Sequence, residues 1–280
     1  VTQLRPVSAL RTLAYFRFLA ILCWFPLRRS AQLRGGESAR IPKKKSIPMK
    51  DAILRAAISL SFNWWAERSG KEHMKIHLAV DLATLGAALE MAEAVCDYVD
   101  SLWLGPILLK NEGLKAVEAF RTSFCKKTIV ADMRTMESGS LEAELSFAAG
   151  ADAMTVLGIA DNATINATVQ CGARLKRRVI VNLNAAMPPV QRASELATFG
   201  IEEFVATSAG HGSSVGLSPV QLEEIARSGR TVFLYGCDSA ASLSLAARIG
   251  VDDVVIGAPI YSAPDVVAAA QTFHRAASRL

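Results

Sequence analysis

Histidine is scarce in this 280-residue chain. There are four, and none stands in a His-x-His or His-Glu-x-x-His spacing, which excludes the usual zinc arrangements. Cysteine is little better represented. Cys23, Cys96, Cys125, Cys171 and Cys237 are odd in number and scattered, so they read as reduced thiols of a cytoplasmic protein and not as a disulfide framework. A bilayer-spanning apolar run is missing. The most apolar stretch, Phe18 to Leu27, is about half the roughly 20 residues needed, and Pro26, Arg28 and Arg29 close it. No Gly-x-Gly-x-x-Gly follows the first regular strand pattern, which removes the main support for a dinucleotide-binding open sheet.

The positive charge is confined to one part of the chain. Residues 1–73 hold 14 Lys/Arg against 4 Asp/Glu, whereas residues 74–280 hold 17 against 22. The basic balance therefore belongs to the first quarter, and nucleic-acid binding is not expected. Residues 1–73 show no sustained periodicity outside Ala52 to Phe62. They read as a basic, non-globular extension, and three explanations compete: a membrane-surface amphipathic anchor, a disordered basic arm, or upstream sequence included by a misplaced gene start. The third is preferred, because a regular strand pattern begins at Met74. Membrane contact is expected only if residues 1–73 are made.

From Met74 onward eight strand–helix units follow one another. Several helices run into a Gly-x-acid link, as in Gly150-Ala151-Asp152, Gly200-Ile201-Glu202 and Gly250-Val251-Asp252. Glycine there closes a helix in the left-handed conformation, and the next strand begins. Eight such units predict a (β/α)8 TIM barrel over residues 74–280, whose function sits at the strand carboxyl ends. Those ends read Asp81, Trp103, Asp132 with Arg134, Gly158, Asn182 with Asn184, Ser208 to His211, Tyr235 to Asp238, and Gly257 to Tyr261. Acids, amides and glycines suit a polar ligand.

The stretch Ile129 to Gly139 is the most informative. On a regular strand Asp132 and Arg134 share a face and Met133 takes the other. The pair is either a structural ion pair at the barrel mouth or part of a ligand site. His77 reads as an ordinary strand residue and His274 as a helix-surface one, Lys176-Arg177-Arg178 as a solvated turn, Cys237 as an inert thiol, and Asp161 as a helix N-cap.

Four stretches resemble the hexulose-6-phosphate synthase family: Leu78 to Leu82; Tyr98 to Asp100 through Gly105 to Asn111-Glu112-Gly113-Leu114; Ala131 to Gly139; and Gly150 to Asp152 through Thr155 to Gly158. The 3-keto-L-gulonate-6-phosphate decarboxylases, also of the orotidine 5′-phosphate decarboxylase superfamily, are more distantly similar. The resemblance implies a (β/α)8 homodimer that binds a phosphorylated sugar and uses Mg²⁺ to stabilise an enediolate. The synthase reaction joins formaldehyde to ribulose 5-phosphate, a step of formaldehyde assimilation; the decarboxylase releases CO₂ from a keto-sugar acid phosphate.

Carried onto this chain, the resemblance implies Asp81, Asp132, Arg134 and Glu137 as catalytic residues, with Asp132 as metal ligand. It implies Trp103, Asn182, Ser208, His211, Gly236 and Gly257 as substrate contacts. The chain departs from the family pattern at several of these positions. Arg134 replaces the motif lysine and Glu137 its closing aspartate. Trp103 stands where an acid is expected and Asn182 where another acid is expected. Ser208 takes the place of a histidine, with His211 three residues on. The two phosphate glycine pairs have become Gly236-Cys237 and Gly257-Ala258. Three functions follow as expectations: a carbon–carbon lyase with an altered site, a phosphosugar-binding pseudoenzyme, or a decarboxylase.

Overall fold

The computed structural model describes residues 74–209, 216–251 and 253–280. Eight parallel strands close into a barrel in chain order: β1 (Lys75–Val80), β2 (Ser101–Leu104), β3 (Thr128–Thr135), β4 (Ala153–Leu157), β5 (Arg178–Asn182), β6 (Glu203–Thr207), β7 (Thr231–Tyr235) and β8 (Asp253–Ile256). Pairing of β1 with β8, from Lys75↔Asp253 to Leu78↔Ile256, completes the circle. The barrel predicted over residues 74–280 is the fold observed.

Strand alternation divides the core in two. Outward-facing Leu78, Val80, Leu102, Leu104, Ile129 and Ala131 pack under the helices. Inward-facing Ala79, Trp103, Val130, Ala153, Ile180, Val205, Phe233 and Val255 fill the centre and seal it across. The strands are buried on both faces, which is why they read as near-continuous apolar runs.

The helices are α1 (Leu85–Val95), α2 (Pro106–Glu112), α3 (Lys115–Ser123), α4 (Gly139–Ala148), α5 (Asn162–Leu175), α6 (Pro189–Ala197), α7 (Pro219–Arg227), α8 (Ala240–Ile249), α9 (Ala258–Tyr261) and α10 (Val266–Ala277). Their starts carry the expected chemistry. Asp161 caps α5 by accepting from Thr164 N at 2.6 Å, and Ser218 caps α7 with a reciprocal Gln221 contact. Gly150, Gly200 and Gly250 adopt positive φ of 105°, 83° and 93° at the predicted helix ends.

One helix is absent from the sequence reading. Gly105-Pro106 reads as a strand stop, but Pro106 is the first residue of α2, where its missing N–H costs nothing. The helical pattern over Gly113 to Phe124, seen as α3, is thus preceded by a second helix. Among the described residues no helix is long and apolar enough to cross a membrane.

Candidate active site

The carboxyl ends of β1, β3, β4, β5 and β7 converge around Asp132, which is 1 % exposed at its side chain. Thr155 of β4 donates its hydroxyl to Asp132 Oδ1 at 2.7 Å. Arg134 donates to Oδ2 through Nε at 3.2 Å and Nη2 at 3.1 Å. Tyr235 at the end of β7 donates its phenol to the same oxygen at 3.5 Å. Both carboxylate oxygens therefore have hydrogen-bond donors, as buried polar groups require.

Arg134 reaches Asp132 by a different route from the one a regular strand predicts. Register shifts between Ala131 and Thr135, so β3 bulges against β4, and Arg134 takes φ 49°. Left-handed backbone at a non-glycine residue costs about 1 kcal/mol or more. Thr155 Oγ1 accepts the Arg134 N–H at 2.9 Å, holding the bulge in place. The pair expected from alternation exists, but a bulge makes it, and the guanidinium stays 43 % exposed toward the mouth. Burial acts to lower the Arg134 pKa; the Asp132 carboxylate outweighs it, aided by Tyr235 and Asp81, and the net shift is upward. Arg134 is a fixed cation.

Asp81 follows β1 and belongs to the same cluster. Its Oδ1 accepts Ile107 N at 2.7 Å, capping the start of α2 from another strand, while Gly105 leaves room for the carboxyl. Its charge acts on Arg134, Tyr235 and Tyr261. Burial first, then Asp132, pushes Tyr235 well above the ordinary tyrosine value, and burial then Asp81 raises Tyr261. Tyr235 is a donor here, not a phenolate.

Asn182 lies buried at the end of β5, its Oδ1 accepting Asn184 N at 2.9 Å. Asn184 in turn brackets Thr207 through two bonds of 2.8 and 2.9 Å. Ser208 is half-buried, its N–H bound to Tyr235 O at 2.9 Å. Gly236, at φ 93°, and Gly257 follow β7 and β8. The N–H groups of Gly236, Cys237, Gly257 and Ala258 carry no intramolecular hydrogen bond among the described residues. Cys237 is buried, and desolvation pushes its thiol up to about 12, so it is inert as expected.

Two expected residues are not brought to the cluster, and one lies outside the described residues. Glu137 is exposed and makes no hydrogen bond to Asp132 or Arg134. Trp103, expected at the mouth as a substrate contact, sits within β2 and one layer down, 1 % exposed. Its ring lies 5.0 Å from Phe233 and 6.0 Å from Tyr235, and its Nε1 donates away from the mouth, to Ser101 Oγ at 3.0 Å. It is the floor of the site. Strand alternation inside a barrel puts every second inward residue at a different depth, which a list of strand ends does not resolve. His211 lies outside the described residues.

Magnesium needs several oxygen ligands in near-octahedral geometry. Asp132 has both oxygens committed, one of them to a guanidinium, and Asp81 has one committed to Ile107 N. Among the described residues no group of three His, Cys, Asp or Glu side chains could hold a metal ion.

Comparison with known proteins agrees with this architecture. Residues 74–219 match the family described as orotidine 5′-phosphate decarboxylase / HUMPS. The 3-hexulose-6-phosphate synthase of Mycobacterium gastri is 35 % identical over 206 residues, covering 72 % of this chain and 99 % of that protein. This chain belongs to the orotidine 5′-phosphate decarboxylase / HUMPS family. Among solved members, a 3-hexulose-6-phosphate synthase is 33 % identical with a TM-score of 0.68, covering 72 % of this chain and 99 % of its own. The Salmonella typhimurium 3-hexulose-6-phosphate synthase is 27 % identical, also at 0.68, covering 74 % and 99 %.

Proposed function

We propose that this chain is a carbon–carbon lyase of the hexulose-6-phosphate synthase type, acting on a ketose phosphate through an enediolate held by protein donors. The observation that carries the reading is the buried Asp132 clamped by Thr155, Arg134 and Tyr235 at the carboxyl end of the barrel. Relatives bearing the synthase name support the substrate class, ribulose 5-phosphate with formaldehyde.

The roles follow from donor chemistry. Removing the C1 proton of ribulose 5-phosphate leaves charge on two adjacent oxygens. Arg134 presents a permanent cation with several N–H donors, and Tyr235 a phenol that stays protonated; both suit that charge. Asp132 is a positioning residue that fixes Arg134. Asp81 has one oxygen committed to Ile107 N and is the base assigned to the C1 proton. The enediolate carbon then attacks formaldehyde, and the new alkoxide takes up a proton to give the hexulose phosphate. The unbonded N–H groups of Gly236, Cys237, Gly257 and Ala258 face the demand of a phosphate group. Asn182 and Ser208 supply neutral contacts.

A homodimer is part of this proposal. Ile107, Met136, Leu141, Leu145 and Ile159 are exposed, and all follow β2, β3 or β4 on the carboxyl side, an apolar grouping that suits a second copy. Sedimentation at micromolar protein would return a monomer if this is wrong.

A second reading, a phosphosugar binder without turnover, is favoured by Asp132, whose two oxygens both already accept hydrogen bonds within the protein. Formaldehyde consumption by the full chain decides between them. The synthase reading expects loss of formaldehyde that requires ribulose 5-phosphate and persists in EDTA. A thermal shift with ribulose 5-phosphate but no consumption would leave the binder.

A further inference from the structure

The opposite end of the barrel holds a second cavity that the reaction above does not use. It has a volume of about 590 Å³ and opens among the strand beginnings, below the sealed central layer. Trp103 and Phe233 form its apolar floor.

At its deep end lies a buried polar network. Trp103 Nε1, which can only donate, gives its hydrogen to Ser101 Oγ at 3.0 Å. With a neutral imidazole, the serine hydroxyl then points at His77 Nδ1, 2.6 Å away, and His77 Nε2 donates to Asp253 Oδ1 at 2.9 Å. His77, Ser101 and Asp253 are 6 %, 4 % and 7 % exposed. His77 is therefore no ordinary strand residue. Asp253 Oδ2 has no hydrogen-bond partner among the described residues.

The rim sets the sign of the ligand. Arg177 pairs with Asp152, which also holds Arg121, and Arg178 pairs with Glu203. Asp100 spends Oδ2 on Ile76 N at 2.8 Å. Lys75 and Lys176 line the same cavity, are exposed, and have no ion-pair partner among the described residues. Two unspent ammonium groups stand above an aromatic floor and an acceptor that lines the cavity.

We infer that the amino-terminal end of the barrel is a binding site for a small hydroxylated organic anion with a flat body. Its anionic group meets Lys75 and Lys176, its body lies against Trp103 and Phe233, and its hydroxyl donates to Asp253. Ser101 is not assigned as a nucleophile. Its lone pair is already engaged by the indole, and the cavity offers no pair of donors for a developing oxyanion.

The test is calorimetric titration of the full-length chain with 4-hydroxybenzoate and 4-hydroxyphenyl phosphate, one arm for each anionic group. Saturable binding is expected for at least one probe. The Lys75→Gln/Lys176→Gln variant, altered only at exposed side chains, should weaken it by about tenfold, while Arg134→Gln at the other end leaves it unchanged. Benzoate in place of 4-hydroxybenzoate, or phenyl phosphate in place of its hydroxylated counterpart, should bind more weakly if Asp253 takes the hydroxyl. Failure of both hydroxylated probes to bind overturns the site. So does binding that Arg134→Gln weakens and the lysine variant does not.

Discussion

Thr155 offers the sharpest perturbation of the candidate active site, because one hydroxyl does two jobs. It donates to buried Asp132 Oδ1 at 2.7 Å and accepts the N–H of Arg134 at 2.9 Å. Thr155→Val keeps the shape and removes both bonds. The bond to a carboxylate is worth about 1.5–3 kcal/mol and the neutral one about 0.5–1.5 kcal/mol, and neither group left behind regains water at a site this buried. The expected loss is about 2–4 kcal/mol, or a fall in Tm of roughly 5–15 °C for a barrel of this size. Thr155→Ser keeps the hydroxyl and should recover most of that loss. Urea unfolding and thermal melts read the stability, and formaldehyde consumption reads the position of Arg134. A Thr155→Val variant within about 0.5 kcal/mol of wild type and unchanged in turnover would refute both the bulge clamp and the role built on it.

Arg134→Lys keeps the charge and loses the two-point grip on Asp132, so formaldehyde consumption should fall about tenfold, near 1.4 kcal/mol of transition-state stabilisation; a rise would show that arginine impairs the site. Cys237 titrates from an ordinary 9.0 to about 12 in the fold, so it stabilises the native state fully below pH 9 and that contribution is lost as pH climbs toward 12. Between pH 8 and 10, wild type should lose about 1.4 kcal/mol more than Cys237→Ala in urea unfolding, and equal slopes would contradict the buried thiol. Trp103→Phe empties part of the central layer and frees Ser101, for a destabilisation of about 1–3 kcal/mol. The KM for ribulose 5-phosphate should stay within about twofold, because Trp103 is floor and not wall; a large rise in KM would return it to the mouth.

Most of the fold was legible because a parallel barrel strand is a short apolar run and the links between units carry their own chemistry. β2 falls at Ser101–Leu104 as read, and the glycines before β4, β6 and β8 adopt the conformations their spacing implies. Depth was not legible. Asp132 and Trp103 both read as strand-end residues, yet one reaches the mouth and the other lies a layer lower. The bulge in β3 was hidden for the same reason, since nothing in Asp-Met-Arg-Thr announces a left-handed arginine. Tyr235 stood among the strand ends without a role, and Thr155 lay unmarked inside a recognised stretch. His77, Ser101 and Asp253 are far apart in sequence, and no local pattern joins them.

The interior polar residues make sense together once hydrogen-bond satisfaction is followed from residue to residue. A tryptophan at 103 brings a buried N–H that must find an acceptor, and Ser101 supplies it. Ser101 Oγ also lies 2.6 Å from His77 Nδ1, and His77 Nε2 reaches Asp253 Oδ1 at 2.9 Å, so the series joins the first and last strands. Above the same indole, Tyr235 stacks edge-on and needs an acceptor of its own, found in Asp132. A buried carboxylate carrying neutral donors still needs a counter-charge. Arginine supplies one with a planar fork, and Nε and Nη2 both donate to Asp132 Oδ2, a grip that a lysine's single ammonium cannot reproduce. Arg134 at the mouth and Trp103 in the interior are thus joined through Tyr235 and Asp132 into one continuous set of contacts.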